Sequence, residues 1–451
     1  MRAAFLFDPD RCTGCEACRV ACGIENDGGI DTGWRTITTF NRSHHPALPT
    51  RHLSMACNHC DTPACALGCP ANAYERDAQT GAVLLDPKKC IGCRYCSWVC
   101  PYDAPAYDDD RGVMTKCTFC SPRVAAGGQP ACTAACPTGS LSFGTRTDDA
   151  PEPEFPGLGS FGLGPALRIE KPRRAGPPPA LAIDELVLDS PSQPMPPRKI
   201  ALSGEWTLLL FTLVMPALVG WLGGGIVRYG RTPPLLFFAG LGALAMSMSA
   251  MHLGKPLRAW RALLNVRTSW LSREIAFASL FLLLGIPFTA LPHASSSLGI
   301  PALLCGIALA FSIDGVYRAI PRDGAKRMHS AEAVPTVALL FGIAASLPVV
   351  TIAAALVKIV LYASRWVRRE AGVPEPFGVL RMVFLGMACV PTMPWSAAFG
   401  LALLGEVIDR FAFYNELEPT SPARRMALEV RASHGPRPAE DARHANATFP
   451  Q

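Results

Sequence analysis

The stretch from Cys90 to Pro101, CIGCRYCSWVCP, decides the fold of the first third of this chain. Three of its cysteines recur at every third position, and the fourth, Cys100, stands one residue further away. In a C-x2-C-x2-C loop, three thiolates wrap around one corner of a cubane iron–sulfur cluster, and the cysteine on the following helical turn points to a second cluster. The spacing therefore predicts 4Fe-4S clusters that exchange ligands between cysteine groups.

Four such groups occur, and together they use sixteen of the eighteen cysteines. Group one is Cys12, Cys15, Cys18 and Cys22; group two is Cys57, Cys60, Cys65 and Cys69; group three is Cys90, Cys93, Cys96 and Cys100; group four is Cys117, Cys120, Cys132 and Cys136. Three groups end in Cys-Pro, whereas Gly23 follows group one. Sixteen ligands predict four 4Fe-4S centres. Cys305 and Cys389 lie alone in apolar segments and are predicted to be small buried residues.

Exchange of the fourth ligand predicts which thiols hold each cluster. Groups two and three are close in sequence and form one pair, so groups one and four form the outer pair. The predicted ligand sets are Cys12, Cys15, Cys18 and Cys136 for cluster 1; Cys57, Cys60, Cys65 and Cys100 for cluster 2; Cys90, Cys93, Cys96 and Cys69 for cluster 3; and Cys117, Cys120, Cys132 and Cys22 for cluster 4. The result is two ferredoxin-like modules, the second inserted within the first, with four redox centres in a row.

Disulfides and structural zinc are the alternative uses of so many cysteines. Disulfides suit small secreted chains, and the opening MRAAFLFDPD is too short and too acidic for a cleavable signal peptide. Zinc sites use separated C-x2-C pairs and gain nothing from a third thiol at the same short interval. Nucleic-acid binding is not expected, because residues 1–145 carry 13 Lys and Arg against 14 Asp and Glu.

Composition divides the chain into four parts. We predict an α+β ferredoxin-like domain with four clusters over residues 1–150, a Pro-rich linker over 151–200, an all-α membrane anchor over 201–415 and a polar C-terminal tail over 416–451. Twelve prolines between residues 151 and 197 indicate an extended, poorly packed tether. The patch LAIDELVLD at 181–189 is either a solvated loop or a docking segment.

The anchor is predicted to be a polytopic bundle of eight transmembrane helices. The candidate spans are residues 205–227, 234–253, 272–291, 299–319, 332–348, 349–366, 378–393 and 395–414. Most are near the length that crosses the hydrocarbon core, and prolines near 348 and 394 divide apolar runs too long for one helix. A buried soluble core is the alternative, and runs of this length without charge disfavour it.

An even number of spans puts both chain ends on one side of the membrane. The connections on that side carry twelve basic residues, namely Lys255, Arg258, Arg261, Arg267, Arg318, Arg322, Lys326, Arg327, Arg365, Arg368, Arg369 and Arg381. The opposite loops carry only Arg228 and Arg231. Positive charge concentrates in cytoplasmic loops, so the iron–sulfur domain is predicted to face the cytoplasm at the bacterial plasma (inner) membrane.

Two sets of motifs carry a resemblance to the dimethyl sulfoxide reductase family of molybdenum enzymes. The segments ACNHCDTPACALGCPANA, DPKKCIGCRYCSWVCPYDAP and KCTFCSP resemble its four-cluster electron-transfer subunit. The segments HLGKPLRAWRALLNVRTSWLSREI and GEVIDRFAFY are similar to its membrane-anchor subunit. The resemblance implies a fusion of two usually separate subunits, which has no catalytic site of its own for the terminal substrate. The resemblance also implies that this fused chain passes electrons from quinol to a separate molybdopterin-containing subunit.

The quinol site is predicted on the cluster side of the anchor. Quinol releases two protons with its two electrons, and His252, at the end of the second span, has an ordinary pKa near 6.5 that suits a proton acceptor. Glu274 lies at the same depth, and Arg273 and Glu406 complete the candidates. His252 could equally lie at the interface, Glu274 could stabilise a helix N-terminus, and Glu406 could pair with Arg410.

Three hypotheses follow for the whole chain. The first is oxidation of menaquinol or ubiquinol through the four clusters, in anaerobic respiration. The second is the same path in reverse, as the quinone-reducing arm of a molybdenum-dependent dehydrogenase. The third, a polyferredoxin without quinone, is disfavoured by the ionisable residues at the cluster-side membrane face. Haem is not expected, since the predicted spans contain one histidine and a bis-histidine haem needs two.

Overall fold

The computed structural model describes residues 2–26, 33–44, 48–146, 154–170, 193–228, 230–291, 296–323, 328–367 and 375–434. Several predictions fall outside these residues. They concern the patch 181–189, the basic residues Lys326, Arg327, Arg368 and Arg369, and the end of the tail, 435–451.

The cysteine-rich domain is built from short strands and short helices. Its strands are β1 (Arg2–Phe7), β2 (Thr36–Phe40), β3 (Arg51–Met55), β4 (Tyr74–Arg76), β5 (Val83–Leu85), β6 (Ala106–Asp108), β7 (Val113–Thr115), β8 (Leu141–Arg146) and β9 (Leu167–Ile169). Its helices are α1 (Ala17–Glu25), α2 (Ala64–Gly68), α3 (Tyr95–Trp98), α4 (Ser121–Ala125) and α5 (Ala131–Ala134). Each helix contains or adjoins cysteines of one group, so the helices place the thiols.

One three-stranded sheet joins the two ends of this domain. Strand β1 pairs antiparallel with β8, from Arg2 opposite Arg146 to Phe7 opposite Leu141, and parallel with β9. The buried side chains of Phe5 and Phe7 fix the inner face of β1. Antiparallel hairpins β2–β3, β4–β5 and β6–β7 complete the domain. The domain is thus closed on itself, with groups one and four brought together by β1 and β8.

The segment predicted to be a tether is packed in part. Residues 154–170 carry β9, and the side chains of Phe155 and Leu167 are buried in the core of the cysteine-rich domain. Further on, Ile200 is buried against the helices that follow. The prediction of an extended tether is therefore wrong for these residues, because short apolar stretches within the Pro-rich composition supply enough contact area to pack.

The anchor consists of helices at all eight predicted positions. They are α6 (Leu202–Val227), α7 (Leu235–Met251), α8 (Trp270–Ala290), α9 (Ser296–Arg318), α10 (Ala333–Ala344), α11 (Pro348–Val367), α12 (Glu375–Ala388) and α13 (Trp395–Glu416), with a 3₁₀ helix at Pro256–Leu263. Within the described residues, three helices are long and apolar enough to cross a membrane, or four if α7 and the 3₁₀ helix form one bent span. The bundle is an integral membrane domain, but a count of eight crossings is not confirmed.

The shorter helices differ from the predicted spans for physical reasons. Helix α10 has 12 residues and therefore extends about 18 Å, well short of the hydrocarbon core. It begins inside the bundle, since His329 and Ser330 just before it are buried. Helix α13 has 22 residues but carries Glu406, Asp409 and Arg410 in its buried face. Helix α10 is thus too short, and helix α13 too charged, to be recognised as a simple membrane span, although both lie where spans were predicted.

The C-terminal part of the described chain returns to the cysteine-rich domain. Helix α14 (Pro422–His434) lies within the segment predicted to be a polar tail. Its Met426 and Val430 are fully buried in the core of the cysteine-rich domain. The carboxylate of Glu429 accepts a hydrogen bond from the backbone N–H of Gly157 at 3.0 Å. The prediction of a polar tail is therefore wrong for α14, which holds the end of the anchor against the cysteine-rich domain.

A dense contact joins the cysteine-rich domain to the anchor. The backbone N–H groups of Gly254 and Lys255, just after α7, donate to the carbonyls of Gly92 and Ile91 at 3.3 and 3.1 Å. On the other flank of the contact, Asn265 Nδ2 donates to the carbonyl of Cys69 at 2.9 Å. These contacts fix groups two and three, rather than one and four, against the membrane helices.

We expect Gly254→Ala to weaken this contact. A Cβ at Gly254 would overlap the carbonyl oxygen of Gly112 and the hydroxyl of Tyr107, so the loop would have to move off the domain. Overpacking of this kind costs about 1–3 kcal/mol, and we expect a lower melting temperature and faster hydrogen exchange at residues 90–96. Gly240→Ala is the matched control, because its Cβ would meet nothing within 4 Å. Equal melting temperatures and exchange for the two variants would contradict the prediction.

Candidate functional site

One backbone feature recurs in all four cysteine groups. The second residue after the first cysteine has a left-handed conformation in each group, with φ of 72° at Gly14, 42° at His59, 71° at Gly92 and 61° at Phe119. Successive backbone N–H groups around such a residue turn inward and form a concave nest for anions. Each loop is therefore shaped to surround a negatively charged group with its thiols.

Three of the predicted ligand sets line separate cavities. One cavity is lined by Cys12, Cys15, Cys18 and Cys136; a second by Cys57, Cys60, Cys65 and Cys100; a third by Cys69, Cys90, Cys93 and Cys96. In each cavity, three thiols come from one group and the fourth comes from its partner group. Within the described residues, no three His, Cys, Asp or Glu side chains come close enough to hold a single metal ion. Each of the three cavities is thus lined by four thiols, which is the donor set that a 4Fe-4S cluster takes.

The fourth set is brought together by two helices. Cys22 on α1 and Cys132 on α5 are buried, and these helices pack against each other. Burial raises the pKa of Cys120, and the neighbouring charges of Cys132 and Cys22 raise it further. Cys117 is also an electrostatic neighbour of Cys132. Cys120 therefore lies near Cys132 and Cys22, and Cys117 lies near Cys132.

Burial makes several of these thiols, such as Cys100 and Cys60, poor anions unless a positive group meets them. Burial raises the pKa of the Cys100 thiol to about 11 and raises that of Cys60 further. Backbone N–H groups partly offset this effect, since Gly92 donates to Cys90 Sγ and Phe119 donates to Cys117 Sγ, each at 3.4 Å. Iron ions bound to the sulfur would keep the thiolates charged, and hydrogen bonds of this kind tune cluster potentials.

Two buried cations lie between the cysteine groups. Lys116 is 3% exposed, and its ammonium donates to the carbonyl of Cys117 at 2.8 Å and to that of Val83. Burial lowers its pKa, but the charges of three neighbouring thiols outweigh this effect, so the pKa is raised. Arg35 is 1% exposed, and among its charged neighbours Cys132 does most to raise the pKa of its guanidinium. Among the described residues, Arg35 Nε and Nη2 make no hydrogen bond of ordinary geometry, and the Cys132 thiol lies beside this guanidinium, so its buried donors face a negatively charged group.

The ligand sets follow one another through the domain. Cys65 lies close enough to Cys96 for the charge of one thiolate to raise the pKa of the other thiol, and the same holds for Cys117 and Cys57. Cys18 and Cys132 are neighbours in the same way. The order from the anchor outward is therefore the set of Cys90, then that of Cys57, then that of Cys117, and last that of Cys12. The cavity of Cys90 is the one in contact with the membrane helices.

His252 lies where this innermost cavity meets the anchor. It follows the last residue of α7, and two residues later the backbone of Gly254 hydrogen-bonds to the group-three loop, residues 90–96. Its Nδ1 is buried and has no hydrogen bond of ordinary geometry within the described residues. The charge of Arg94, which lies in that loop between Cys93 and Cys96, reaches both His252 and the buried carboxyl of Glu205 on α6.

The structure places the other predicted quinol-site residues in different surroundings. Glu274 on α8 is 4% exposed and has Tyr95 of the group-three loop and Arg410 as electrostatic neighbours. Arg273 instead donates to the carbonyls of Val266 and Arg267, at 2.9 and 2.6 Å. His252 and Glu274 thus both adjoin the group-three loop, whereas Arg273 holds a connecting segment.

Glu406 belongs to a different part of the bundle. Its carboxylate forms an ion pair with Lys358 of α11 at 2.8 Å. The alternative of a pair with Arg410 is therefore replaced by a contact with Lys358, which also donates to Glu406 Oε2 at 2.9 Å. Asp314, for which the sequence suggested no partner, accepts the backbone N–H groups of Ala333 and Val334 at 2.6 and 3.1 Å and so caps the start of α10.

Sequence reasoning missed several residues at this membrane face. Arg94 and Tyr95 stand in the sequence as spacers between ligands, yet the Tyr95 hydroxyl donates to the carbonyl of Val316 in α9 at 2.8 Å. The guanidinium of Arg94 also stacks on the Tyr107 ring at 4.0 Å. A second histidine, His329, is buried just before α10. Its signal was available in the sequence, since an acidic residue and an apolar helix follow it within four positions.

These features define a membrane-anchored iron–sulfur electron-transfer protein. Comparison with known families identifies residues 49–146 as a 4Fe-4S dicluster domain and residues 233–322 as a DMSO reductase anchor subunit (DmsC) domain. The chain belongs to the dimethyl sulfoxide reductase family, as a fusion of its iron–sulfur subunit with its membrane anchor.

Curated relatives match the cysteine-rich part. The protein is 43% identical over 148 residues to the probable anaerobic dimethyl sulfoxide reductase chain YnfG of Escherichia coli K12, which is 31% of this chain and 72% of that relative. It is 39% identical over 168 residues to the B subunit of the anaerobic dimethyl sulfoxide reductase of Haemophilus influenzae, covering 33% and 82%. It is 38% identical over 150 residues to the thiosulfate reductase electron transfer subunit PhsB of Salmonella typhi, covering 32% and 76%.

Proposed function

We propose that this chain oxidises quinol in its anchor and carries the electrons through four 4Fe-4S clusters to a separate molybdopterin-containing reductase subunit. The observation that supports it most is the contact of the group-three loop with the segment after α7, since His252 belongs to that segment. An electron leaving a quinol beside His252 then has a short path to the innermost ligand set. Because tunnelling slows steeply with distance, such proximity is what the reaction needs.

The residues of the chain have distinct tasks in this reaction. Quinol gives two electrons and two protons and becomes quinone, so each turnover needs proton acceptors at the membrane face. His252 Nδ1, buried at the end of α7, serves as one acceptor or holds the quinol oxygen. Glu274, buried on the facing helix, takes the second proton, and Arg94 stabilises negative charge that develops beside the group-three loop.

The clusters are proposed to be held by the exchanged ligand sets. The sets are Cys90, Cys93, Cys96 and Cys69 nearest the membrane, followed outward by Cys57, Cys60, Cys65 and Cys100, then Cys117, Cys120, Cys132 and Cys22, and last Cys12, Cys15, Cys18 and Cys136. The bound clusters supply one-electron redox steps. The outermost set is the exit toward the catalytic partner, since it lies furthest from the anchor and Cys15 is exposed.

The anchor is proposed to cross the plasma membrane eight times, once at each of the helices α6 to α13, with the flanking residues completing the passage at α10, which is too short to cross alone. The charge bias supports a cytoplasmic cluster domain. The two arginines of the loops on the opposite side form hydrogen bonds within the bundle. Arg228 and Arg231 donate to the carbonyls of Ala345 and Ala344, near the end of α10.

A reporter fused after Gln451 tests this orientation, because an even number of passages returns the C-terminus to the cluster side. We expect activity from a cytoplasmic reporter and none from one that works only outside the membrane. The opposite result would reverse the proposed orientation.

We expect about sixteen irons per chain after anaerobic purification, at four irons per cluster. Colorimetric iron analysis, set against the protein concentration from amino-acid analysis, measures this ratio. A content of about eight irons would exclude four clusters.

We expect Cys100→Ser to damage the cluster held by Cys57, Cys60 and Cys65 and to leave that of its own group intact, because Cys100 lines the Cys57 cavity. Electron paramagnetic resonance of the reduced protein separates the clusters and measures which signal changes. Cys305→Ser is the control, since this thiol lies in the anchor and should leave every signal unchanged. Loss of the signal from the Cys90 set alone would refute the ligand exchange.

We expect His252→Ala to abolish quinol oxidation while every cluster still assembles and is reduced by dithionite. Loss of a positioned proton acceptor typically lowers a rate by roughly 10²- to 10⁴-fold. Oxidation of a menaquinol analogue by the purified protein, with an artificial electron acceptor, measures the effect. His44→Ala, at an exposed histidine of the cysteine-rich domain, is the matched control. Near-parental turnover of His252→Ala would remove this residue from the site.

A further inference from the structure

The segment between α7 and α8, residues 255–267, runs across the direction of the membrane helices. We call it the connecting segment. Its 3₁₀ helix, Pro256–Leu263, forms an angle of 104° with α7. Eight residues at about 2 Å each give this helix a length of about 16 Å, too short to cross the hydrocarbon core. Because α7 is proposed to cross the membrane, a helix almost perpendicular to it lies nearly parallel to the membrane surface.

The inner face of the connecting segment packs against the innermost ligand set. Ala262, the buried residue of the 3₁₀ helix, belongs to the same apolar cluster as Cys69 and Cys90. The guanidinium of Arg258 donates to the carbonyls of Pro87 and Cys90 at 3.0 and 3.1 Å. Whatever covers the opposite, outer face of the segment therefore affects how firmly this ligand set is held on the anchor.

The outer face of the connecting segment is apolar and exposed. Leu257 is 95% exposed and Trp260 is 61% exposed. Further exposed apolar side chains extend this face from the end of α7 to the start of α8: Met251, Leu263, Leu264, Val266 and Trp270. A contiguous exposed apolar face marks contact with a protein or a membrane. Because this face continues directly into two helices of the integral membrane domain, the bilayer is the surface that it meets.

Basic residues accompany these apolar side chains. Residues 252–273 include no Asp or Glu and five cations, namely Lys255, Arg258, Arg261, Arg267 and Arg273. Arg258 is bound to the cysteine-rich domain, and Arg273 donates to two backbone carbonyls of the connecting segment. Within the described residues, the side chains of the other three cations form no hydrogen bond or ion pair. These three cations suit the phosphates of lipid headgroups, which are the anions at the membrane surface.

A tryptophan joins the apolar and the basic parts of the segment. The guanidinium carbon of Arg261 lies 5.0 Å from the centroid of the Trp260 ring. Tryptophan favours the boundary between hydrocarbon and headgroups. The stem of an arginine lies along apolar surface while its charged end reaches the polar layer. Leu257, Trp260 and Arg261 thus combine, within five positions, the apolar and cationic groups that match an anionic phospholipid.

We propose that the connecting segment binds an anionic phospholipid of the cluster-side leaflet. Lys255, Arg261 and Arg267 bind the phosphate and the charged headgroup, and Leu257 and Trp260 contact the acyl chains. The lipid then holds the connecting segment from the outside, while the inner face of the segment holds the innermost ligand set. The bound lipid is thus part of the contact between the cysteine-rich domain and the anchor.

Lipid binding to the full-length protein tests this proposal without quinol turnover. The protein is kept anaerobically in micelles of a neutral detergent and is titrated with dioleoyl phosphatidylglycerol, with dioleoyl phosphatidylcholine or with inorganic phosphate. Native mass spectrometry measures the concentration at which half of the protein carries a bound molecule. Hydrogen exchange measures the protection of residues 255–267 and of the group-three loop. The visible absorption of the clusters shows that each variant is folded.

We expect phosphatidylglycerol to bind more tightly than phosphatidylcholine and to slow hydrogen exchange in both ranges. Arg261→Gln combined with Arg267→Gln should raise the half-binding concentration of phosphatidylglycerol roughly 25-fold, at about fivefold for each cation removed near the membrane surface. Leu257→Ser should also weaken binding, because it removes contact with the acyl chains. Arg168→Gln combined with Arg431→Gln is the matched control, since it removes the same charge from exposed positions outside the segment and should bind as the parent does.

Three results would overturn the proposal. The first is equal binding of the two lipids, or binding of inorganic phosphate as tight as that of phosphatidylglycerol. The second is the same affinity in both double variants. The third is protection of residues 255–267 without added lipid in a protein that has the mass of a dimer, which would assign the outer face to a second copy of the chain.

Discussion

The cysteine-rich domain depends on one backbone constraint, the left-handed residue two places after the first thiol of each group. It bends the loop so that three thiols face one space, while the helix that follows carries the fourth thiol toward a neighbouring space. Glycine meets the constraint without strain at Gly14 and Gly92. His59 and Phe119 meet it at a cost that their packing offsets, since the two rings stack at 4.0 Å and Phe119 is 1% exposed.

The same constraint links the soluble domain to the membrane. Gly92 supplies the bend in group three and also leaves its carbonyl open to the N–H of Gly254, where the two backbones approach closely. A side chain at either glycine would separate the innermost ligand set from the anchor. The group-three loop thus has two tasks: it places the thiols of the innermost ligand set, and it forms the contact that holds the cysteine-rich domain on the anchor.

Cysteine spacing was the most informative feature of the sequence, because few kinds of site other than an iron–sulfur cluster use thiols at these intervals. The spacing predicted the ligand sets that line three cavities, and apolar runs predicted where the anchor helices lie. What it could not reveal depends on contacts between distant segments. Lys358 lies 48 residues from Glu406 and becomes its partner only when α11 packs near α13. Likewise, nothing local distinguishes α14 from a polar tail until Met426 and Val430 meet the domain core.

Charge balance gives the buried cations a role beyond packing. Each added electron places negative charge in a site that burial already makes unfavourable for thiolates, so a nearby cation favours the reduced state. Lys116 neighbours both the Cys57 and the Cys117 sets, and Arg35 neighbours the Cys117 and Cys12 sets. In the proposed row of clusters, a cation that lies between two sets would stabilise the reduced state of both. It would shift the two reduction potentials in the same direction, so it would not hold the electron at one centre rather than at the next.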